Sequence, residues 1–161
     1  MRILWQKGEQ VSDADNKEFL DQIEQLLASQ RVGVLATRYQ KTPHQSLIAY
    51  ISSGDLREIF FVSPLYTRKV MAIEKDPRVA LLVDSRQNME KDFDACIAVT
   101  AKGTVERLPE QRLEPFLSQY LDRHPYLQEF VSSPSCGYFL LHVRSYSLVS
   151  RFQQVEELSL P

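Results

Sequence analysis

Ile59-Phe60-Phe61-Val62-Ser63-Pro64-Leu65-Tyr66-Thr67-Arg68-Lys69-Val70-Met71-Ala72-Ile73-Glu74-Lys75 is the stretch on which the reading of this chain turns. The apolar run Ile59–Val62 reads as a strand, and Ser63 to Tyr66 as a turn. Val70 to Lys75 reads as a helix whose first turn carries Arg68 and Lys69. Cations there oppose the helix dipole, at a cost of about 0.3–1 kcal/mol each when exposed. A bound anion reverses that sign. Free N–H groups, Thr67, Arg68 and Lys69 together make a phosphate site. Two solvated cations that happen to stand at a helix start are the competing interpretation.

Moving outward, the 161 residues suffice for one domain with a true core, and 43% apolar is ordinary for a globular protein. Net charge is −2 and Lys and Arg are scattered, so bulk electrostatics does not favour a nucleic-acid partner. No apolar run approaches the ~20 residues of a membrane-spanning helix. Met1 to Lys7 turns polar too soon for a signal peptide. These features lead to the expectation of a soluble cytoplasmic protein with no membrane partner. Cys96 and Cys136 lack CxxC spacing and read as reduced, buried thiols.

Asn16 to Ser29 reads as a helix with Phe19, Leu20, Ile23, Leu26 and Leu27 on one face, capped by Asp13 or Asp15. Val32–Thr37, Gln45–Ser52, Glu58–Val62 and Arg78–Asp84 read as strands, with Asp76-Pro77 stopping the Thr67 helix. Ser85 to Asp94 is a polar loop. Ala95 to Leu108 reads as a long strand in which Gly103 marks a bulge or close backbone contact. Leu113 to Leu121 keeps helical spacing, with regular helix starting near Pro115 and ending at His124-Pro125, and Tyr126 to Val131 adds a turn. A last strand runs from about Gly137 to Phe152, bent near Ser145. Strands linked mostly by turns, with three helices inserted, point to a mainly β (α+β) antiparallel barrel. The whole of residues 1–161 reads as one domain, with a helical insertion over about 109–134 that could cover one barrel mouth. No Gly-rich dinucleotide fingerprint or Walker motif is present.

The ordered set Val34-Leu35-Ala36-Thr37, Pro43 to Tyr50, Phe60-Phe61-Val62-Ser63, Thr67-Arg68-Lys69, Asp76 to Asp84 and Lys102 to Leu108 resembles the pyridoxamine 5′-phosphate oxidase-related flavoproteins. These are the FMN-binding split barrels. The resemblance covers roughly residues 30 to 108. It implies a six-stranded antiparallel split β-barrel and a homodimer with FMN in a groove between the barrels. Thr67, Arg68 and Lys69 match the part that holds the FMN phosphate. Val62 and Ser63 match the strand end beside the phosphate and ring. Ser46, Leu47, Ile48 and Ala49 match the strand running along the isoalloxazine, and apolar side chains there suit the wall of a flat slot. The loop Asp84 to Asn88, with Arg86 and Asn88, could reach the cofactor from the same or the opposite subunit; a solvated turn is the alternative.

The match fails at the C-terminal end. The vitamin B6 oxidases proper close with an Arg/Trp-rich substrate segment, whereas Leu141 to Phe152 carries no such signature. Among the histidines, His44 could face the flavin groove or lie at the hairpin surface. His124 reads as a helix-end residue and His142 as a core or barrel-surface residue. A related branch of split barrels binds or degrades haem, which would need a histidine ligand. No pair or trio of His, Cys, Asp or Glu has metal-site spacing. Glu106, Glu110 and Glu114 read as solvated. Ser132 to Cys136 reads as a loop without a partner base, and the tyrosines as packing residues. The resulting expectation is an FMN-dependent oxidoreductase that passes electrons between a reduced nicotinamide or deazaflavin and a small substrate. No residue is assigned as catalytic. A non-catalytic flavin carrier, a haem-binding split barrel and a cofactor-free interaction module are the alternatives.

Overall fold

A computed structural model describes residues 13–151 and 154–160. The expectations for Met1–Lys7, and for Phe152 as the end of the last strand, fall outside these residues. Helix α1 spans Asp13–Ser29, and strands β1, β2 and β3 span Val32–Tyr39, Thr42–Ser52 and Glu58–Pro64. Helix α2 (Arg68–Lys75), β4 (Arg78–Asp84), the short α3 (Asp92–Ala95) and β5 (Ile97–Leu108) follow. Then come α4 (Phe116–Arg123), α5 (Gln128–Val131), β6 (Cys136–Ser150) and β7 (Gln154–Ser159). Both Asp13 and Asp15 fall within α1, and the expected capping contact lies outside the described residues.

β1 pairs with β2 and β4, β4 with β5, β5 with β6, β6 with β3, and β3 with β2. Every pairing is antiparallel, so six strands close into the expected barrel. Closure removes the open sheet edges that would otherwise invite aggregation. The length of β6 allows it two jobs: Cys136–His142 closes the barrel on β3, and Ser145–Ser150 carries β7 as a seventh strand.

Alternation puts Leu35 of β1, Val79, Leu81 and Val83 of β4, and Val99, Ala101 and Val105 of β5 inside the barrel. In β6 the inward set is Phe139, Leu141 and Val143, then Tyr146 and Leu148. The phase jumps between Val143 and Tyr146 because a register shift opposite Lys102/Gly103 places the extra residue on β6. The expected irregularity at Gly103 is therefore real, and it coincides with the expected bend near Ser145. Gly103 is needed for close approach: a Cβ there would lie 1.9 Å from His142 O.

The insertion does not cover a barrel mouth. Leu113, Phe116, Leu117, Tyr120 and Val131 pack on the outer face of β2, β3 and β6 against Ile51, Phe60, Val62 and Leu140. Phe60 stacks on Phe116 at 5.6 Å and meets Tyr120 edge-on at 5.5 Å. This explains why Ile59–Val62 reads as continuously apolar: its inward side faces the barrel core and its outward side faces the insertion. Helix α1 adds Phe19, Ile23, Leu26 and Leu27 to the interior core. Its C-terminal carbonyls are gathered by Arg123, whose Nη2 donates to Leu27 O, Ala28 O and Gln30 O at 3.1, 2.7 and 2.6 Å. Next to it, buried His124 Nε2 bonds Tyr50 O at 2.9 Å, and Tyr50 Oη donates to Leu27 O at 3.1 Å. His124 is thus a helix-end residue, as expected, and part of a clasp between α1, α4 and β2. Among the described residues, no helix is long and apolar enough to cross a membrane.

Candidate site at the opening of helix α2

β2 and β3 pair only over Tyr50–Ser52 and Ile59–Phe61, against eight paired residues between β1 and β2. Beyond that point the two strands part. Ser46–Ala49 then has β1 as its ladder partner, and Val62–Pro64 has β6. Helix α2 packs against β1 and β2, and its Val70 and Ile73 enter the barrel core. Its N-terminus thereby stands where β3 ends.

The turn leading into α2 is held against the start of β6. Leu65 N donates to Ser135 O at 2.8 Å, and a Cβ on Gly137 would come within 2.4 Å of Leu65 Cδ2. Sequence analysis assigned Gly137 no role beyond starting a strand. Its signal was its place directly after the Ser132–Cys136 loop, where small size permits this approach.

The first turn of α2 is uncapped. Thr67 occupies the N-cap position, but its hydroxyl makes no capping bond and donates to Pro64 O at 3.0 Å. No carboxylate stands in the first turn. The N–H groups of Arg68, Lys69 and Val70 have no acceptor within the helix. Lys69 Nζ donates to Ser63 Oγ at 3.1 Å, and Ser63 Oγ donates to Pro64 O at 3.2 Å. Burial holds the Lys69 ammonium below the usual lysine pKa. Arg68 is exposed. The structure therefore brings Ser63, Thr67, Arg68 and Lys69 together as a concentration of donors and positive charge with no negative partner among them.

The other expected residues divide by strand alternation. Leu47 is 71% exposed, and Ala49 packs beside the insertion. Ile48 is turned into the barrel core and Val62 into the cluster under the insertion, so only their backbones can meet a ligand in the groove. Ser46 Oγ is shut off from solvent with no hydrogen-bond partner, an uncompensated polar atom on the strand that edges the gap. Arg86 and Asn88 are not gathered with these residues. Arg86 pairs with Asp84 at 3.1 Å, and both Arg86 and Asn88 line a separate cavity of about 560 Å³ with Leu82, Met89 and Phe93.

The remaining polar residues are held by neighbours. His142 Nε2 lies 2.9 Å from Glu106 Oε1, with Glu58 on its other side. Glu106, expected to be solvated, is held by both His142 and Arg112, and these bonds keep its carboxyl below the usual range. His44 is half-buried in β2, opposite Thr37. Cys136 is buried and Cys96 half-buried, both as free thiols. Among the described residues no group of three His, Cys, Asp or Glu side chains could hold a metal ion.

Three solved structures place the fold among known proteins. A haem-binding protein from Mycobacterium smegmatis superposes with a TM-score of 0.77 at 18% identity. The match covers 87% of this chain and 57% of that protein, so the chain spans little more than half its length. General stress protein 26 from Bacillus anthracis matches with a TM-score of 0.66 at 16% identity, over 89% of this chain and 99% of that one. An FAD-binding protein from Mesorhizobium loti matches with a TM-score of 0.63 at 17% identity, over 86% and 94% of the two chains. At these identities the likeness is one of fold. No curated protein matches the chain. The sequence profile of the pyridoxamine 5′-phosphate oxidase family, however, matches residues 19–146, which take in β1 to β5, α2 and most of β6. On that match, and with a closed split barrel to carry it, the chain belongs to the pyridoxamine 5′-phosphate oxidase family.

Proposed function

We propose that this protein binds FMN and works as a flavin-dependent oxidoreductase, taking electrons from a reduced nicotinamide or a deazaflavin and passing them to a small substrate. The observation that carries the reading is the opening of α2. Two cations stand against the helix dipole, one of them half-buried, and the Thr67 hydroxyl is turned away from the N–H groups it could cap. Such an arrangement costs free energy in the empty protein and is offset by a phosphate with its charge-assisted bonds. Ser46 Oγ and the backbone of Leu47–Ala49, on the strand that leaves β3, supply polar contacts for the edge of a planar ring.

A bound flavin supplies the hydride and electron chemistry. The chain's own residues hold and orient it: Arg68, Lys69, Ser63 and Thr67 anchor the phosphate end, and β2 fixes the ring against the barrel. The B6 oxidase reaction itself is not proposed, because Leu141–Ser150 is spent on closing the barrel and carrying β7.

A second copy covers the outer sheet face. Leu47, Val34, Leu82 and Thr100 form one register row across β2, β1, β4 and β5, and Val32 is 53% exposed one row away. Burying such a row suits a homodimer. In that dimer the Arg86–Asn88 loop serves the cofactor of the opposite copy.

The test is the visible spectrum of the purified full chain, followed by FMN titration. Flavin bands, and loss of several kcal/mol of FMN binding in Arg68→Ala/Lys69→Ala with the fold intact, support the reading. An unchanged FMN affinity in that variant sinks it. A Soret band would favour haem. His124 and His142 are held by Tyr50 O and Glu106, so that outcome would turn on His44.

A further inference from the structure

A cavity of about 560 Å³ lies where the outer face of β4 and β5 meets the loop before α3. The flavin reading uses Arg86 and Asn88 of this loop and gives the space beside them no task. Its lining is apolar on both sides. Leu82, from the register row that a second copy covers, and Ala98 form the sheet side. Met89 and Phe93 form the loop side, and both are exposed in the single chain. Their outward presentation is built into the loop. Asp92 Oδ2 accepts from Gln87 N and Met89 N at 2.9 and 3.1 Å. Between them Asn88 takes a left-handed φ of 59°, which asparagine tolerates better than most residues. Two large apolar side chains are therefore held out of the core by hydrogen-bonded backbone, and contiguous exposed apolar surface marks a binding site.

The rim is acidic. Asp84, Glu90 and Asp92 line the cavity against Arg86 alone. Asp84 takes Arg86 at 3.1 Å, which leaves two negative charges without a cation among the lining residues. Glu90 forms no ion pair among the described residues. Such a rim repels phosphate and carboxylate ligands. A thioether, an aromatic ring and an unpaired carboxylate together suit a flat ring that carries positive charge.

We propose that this cavity is the substrate pocket and that the small substrate is a flat aromatic cation, its ring between Met89 and Phe93 and its charge toward Glu90. The proposal rests on the flavin reading and its homodimer, in which the Arg86–Asn88 loop brings the cavity beside the cofactor of the opposite copy. The pocket is thus incomplete in the single chain and is completed by the second one.

N-Methylquinolinium, quinoline and 1-naphthoate serve as probes: they share one bicyclic frame and carry a positive, no and a negative charge near neutral pH. Each is titrated into the full-length protein loaded with oxidised FMN, and binding is followed by ¹H–¹⁵N amide shifts. The flavin spectrum and sedimentation of the same sample are recorded before any probe is added. A sample that takes up no FMN fails the flavin reading at that step and removes this pocket's role with it. In an FMN-loaded dimer, methylquinolinium should bind saturably and shift the Met89, Phe93 and Ala98 amides. It should bind at least about fivefold more tightly than naphthoate, with quinoline between them. Glu90→Lys should bring that ratio to unity or invert it, and Glu90→Gln should reduce it. Glu90 is exposed, so the melting temperature should stay within a few degrees, which separates lost binding from lost fold. Three results in the loaded dimer overturn the proposal and leave the flavin reading standing. They are no saturable binding of methylquinolinium, naphthoate binding as tightly, and shifts confined to Ser46–Ala49 or other residues away from the cavity.

Discussion

Lys69 Nζ donates to Ser63 Oγ at 3.1 Å, which ties the first turn of α2 to the last inward-facing residue of β3. The contact draws an ammonium group part-way out of water without giving it a negative partner. Everything proposed for the α2 opening depends on that charge staying protonated when an anion arrives.

That requirement gives FMN affinity an alkaline limit. Burial lowers the Lys69 pKa, so the folded chain releases this proton before the unfolded chain does, below the ordinary value of about 10.4. Affinity should be level near neutral pH and fall as pH rises through the lowered pKa. The FMN-free protein should gain stability across the same window, because there the unfolded state binds more protons. Fluorescence titrations from about pH 7 to 10 check this, and Lys69→Arg should remove the alkaline decline. A level profile in the unmodified protein would contradict the assignment.

Gly103→Ala should be among the most damaging single substitutions in the barrel. The new methyl group would sit 1.9 Å from His142 O and 2.9 Å from its carbonyl carbon, and backbone cannot rotate away as a side chain can. A loss of about 3 kcal/mol or more is expected in urea unfolding. Gly54→Ala, at a position where a Cβ would meet nothing within 4 Å, serves as the control.

Arg123→Ala should loosen α1. One guanidinium nitrogen accounts for three carbonyls at the helix C-terminus, and the substitution leaves them without this donor. About 1–3 kcal/mol should be lost, with faster amide exchange concentrated in the last turns of α1. Exchange unchanged there would show that the apolar face of α1 and the Tyr50 hydroxyl hold its end without Arg123.

The His124 clasp should fail toward acid. Burial holds its pKa below the usual value of about 6.5, so on acidification the unfolded chain takes up the proton first. The contribution is complete above that usual value and is lost as pH falls through the window down to the folded pKa. Melting temperatures measured from about pH 7 to 5 should therefore decline, and His124→Gln should decline less steeply.

Local pattern carried much of the fold. Strand Arg78–Asp84 and helix Arg68–Lys75 lie where their sequence puts them, because alternating apolar residues and the Asp76-Pro77 stop act within a few residues. Strand Gln154–Ser159 escaped notice. It is an edge strand, mostly exposed, whose pairing to β6 and Lys102–Glu157 contact leave no apolar period to read. The insertion was legible as helices, but its seat was not, since Phe116 and Tyr120 could equally have faced a barrel mouth.

The candidate site divides in the same way. Thr67-Arg68-Lys69 at a helix start is visible as a string, because dipole and charge belong to neighbouring residues. Ser63 as the partner of Lys69, Ser46 Oγ without one, and Leu82 and Ala98 in one cavity with Met89 and Phe93 appear only after closure. By itself the sequence determined which segments form the six barrel strands, where α2 begins and that cations open it. Tertiary structure decided which strand edges part, which side chains meet and where positive charge is left in surplus. Those depend on register between segments far apart in the chain, and register is set by barrel closure and a single bulge, not by any local preference.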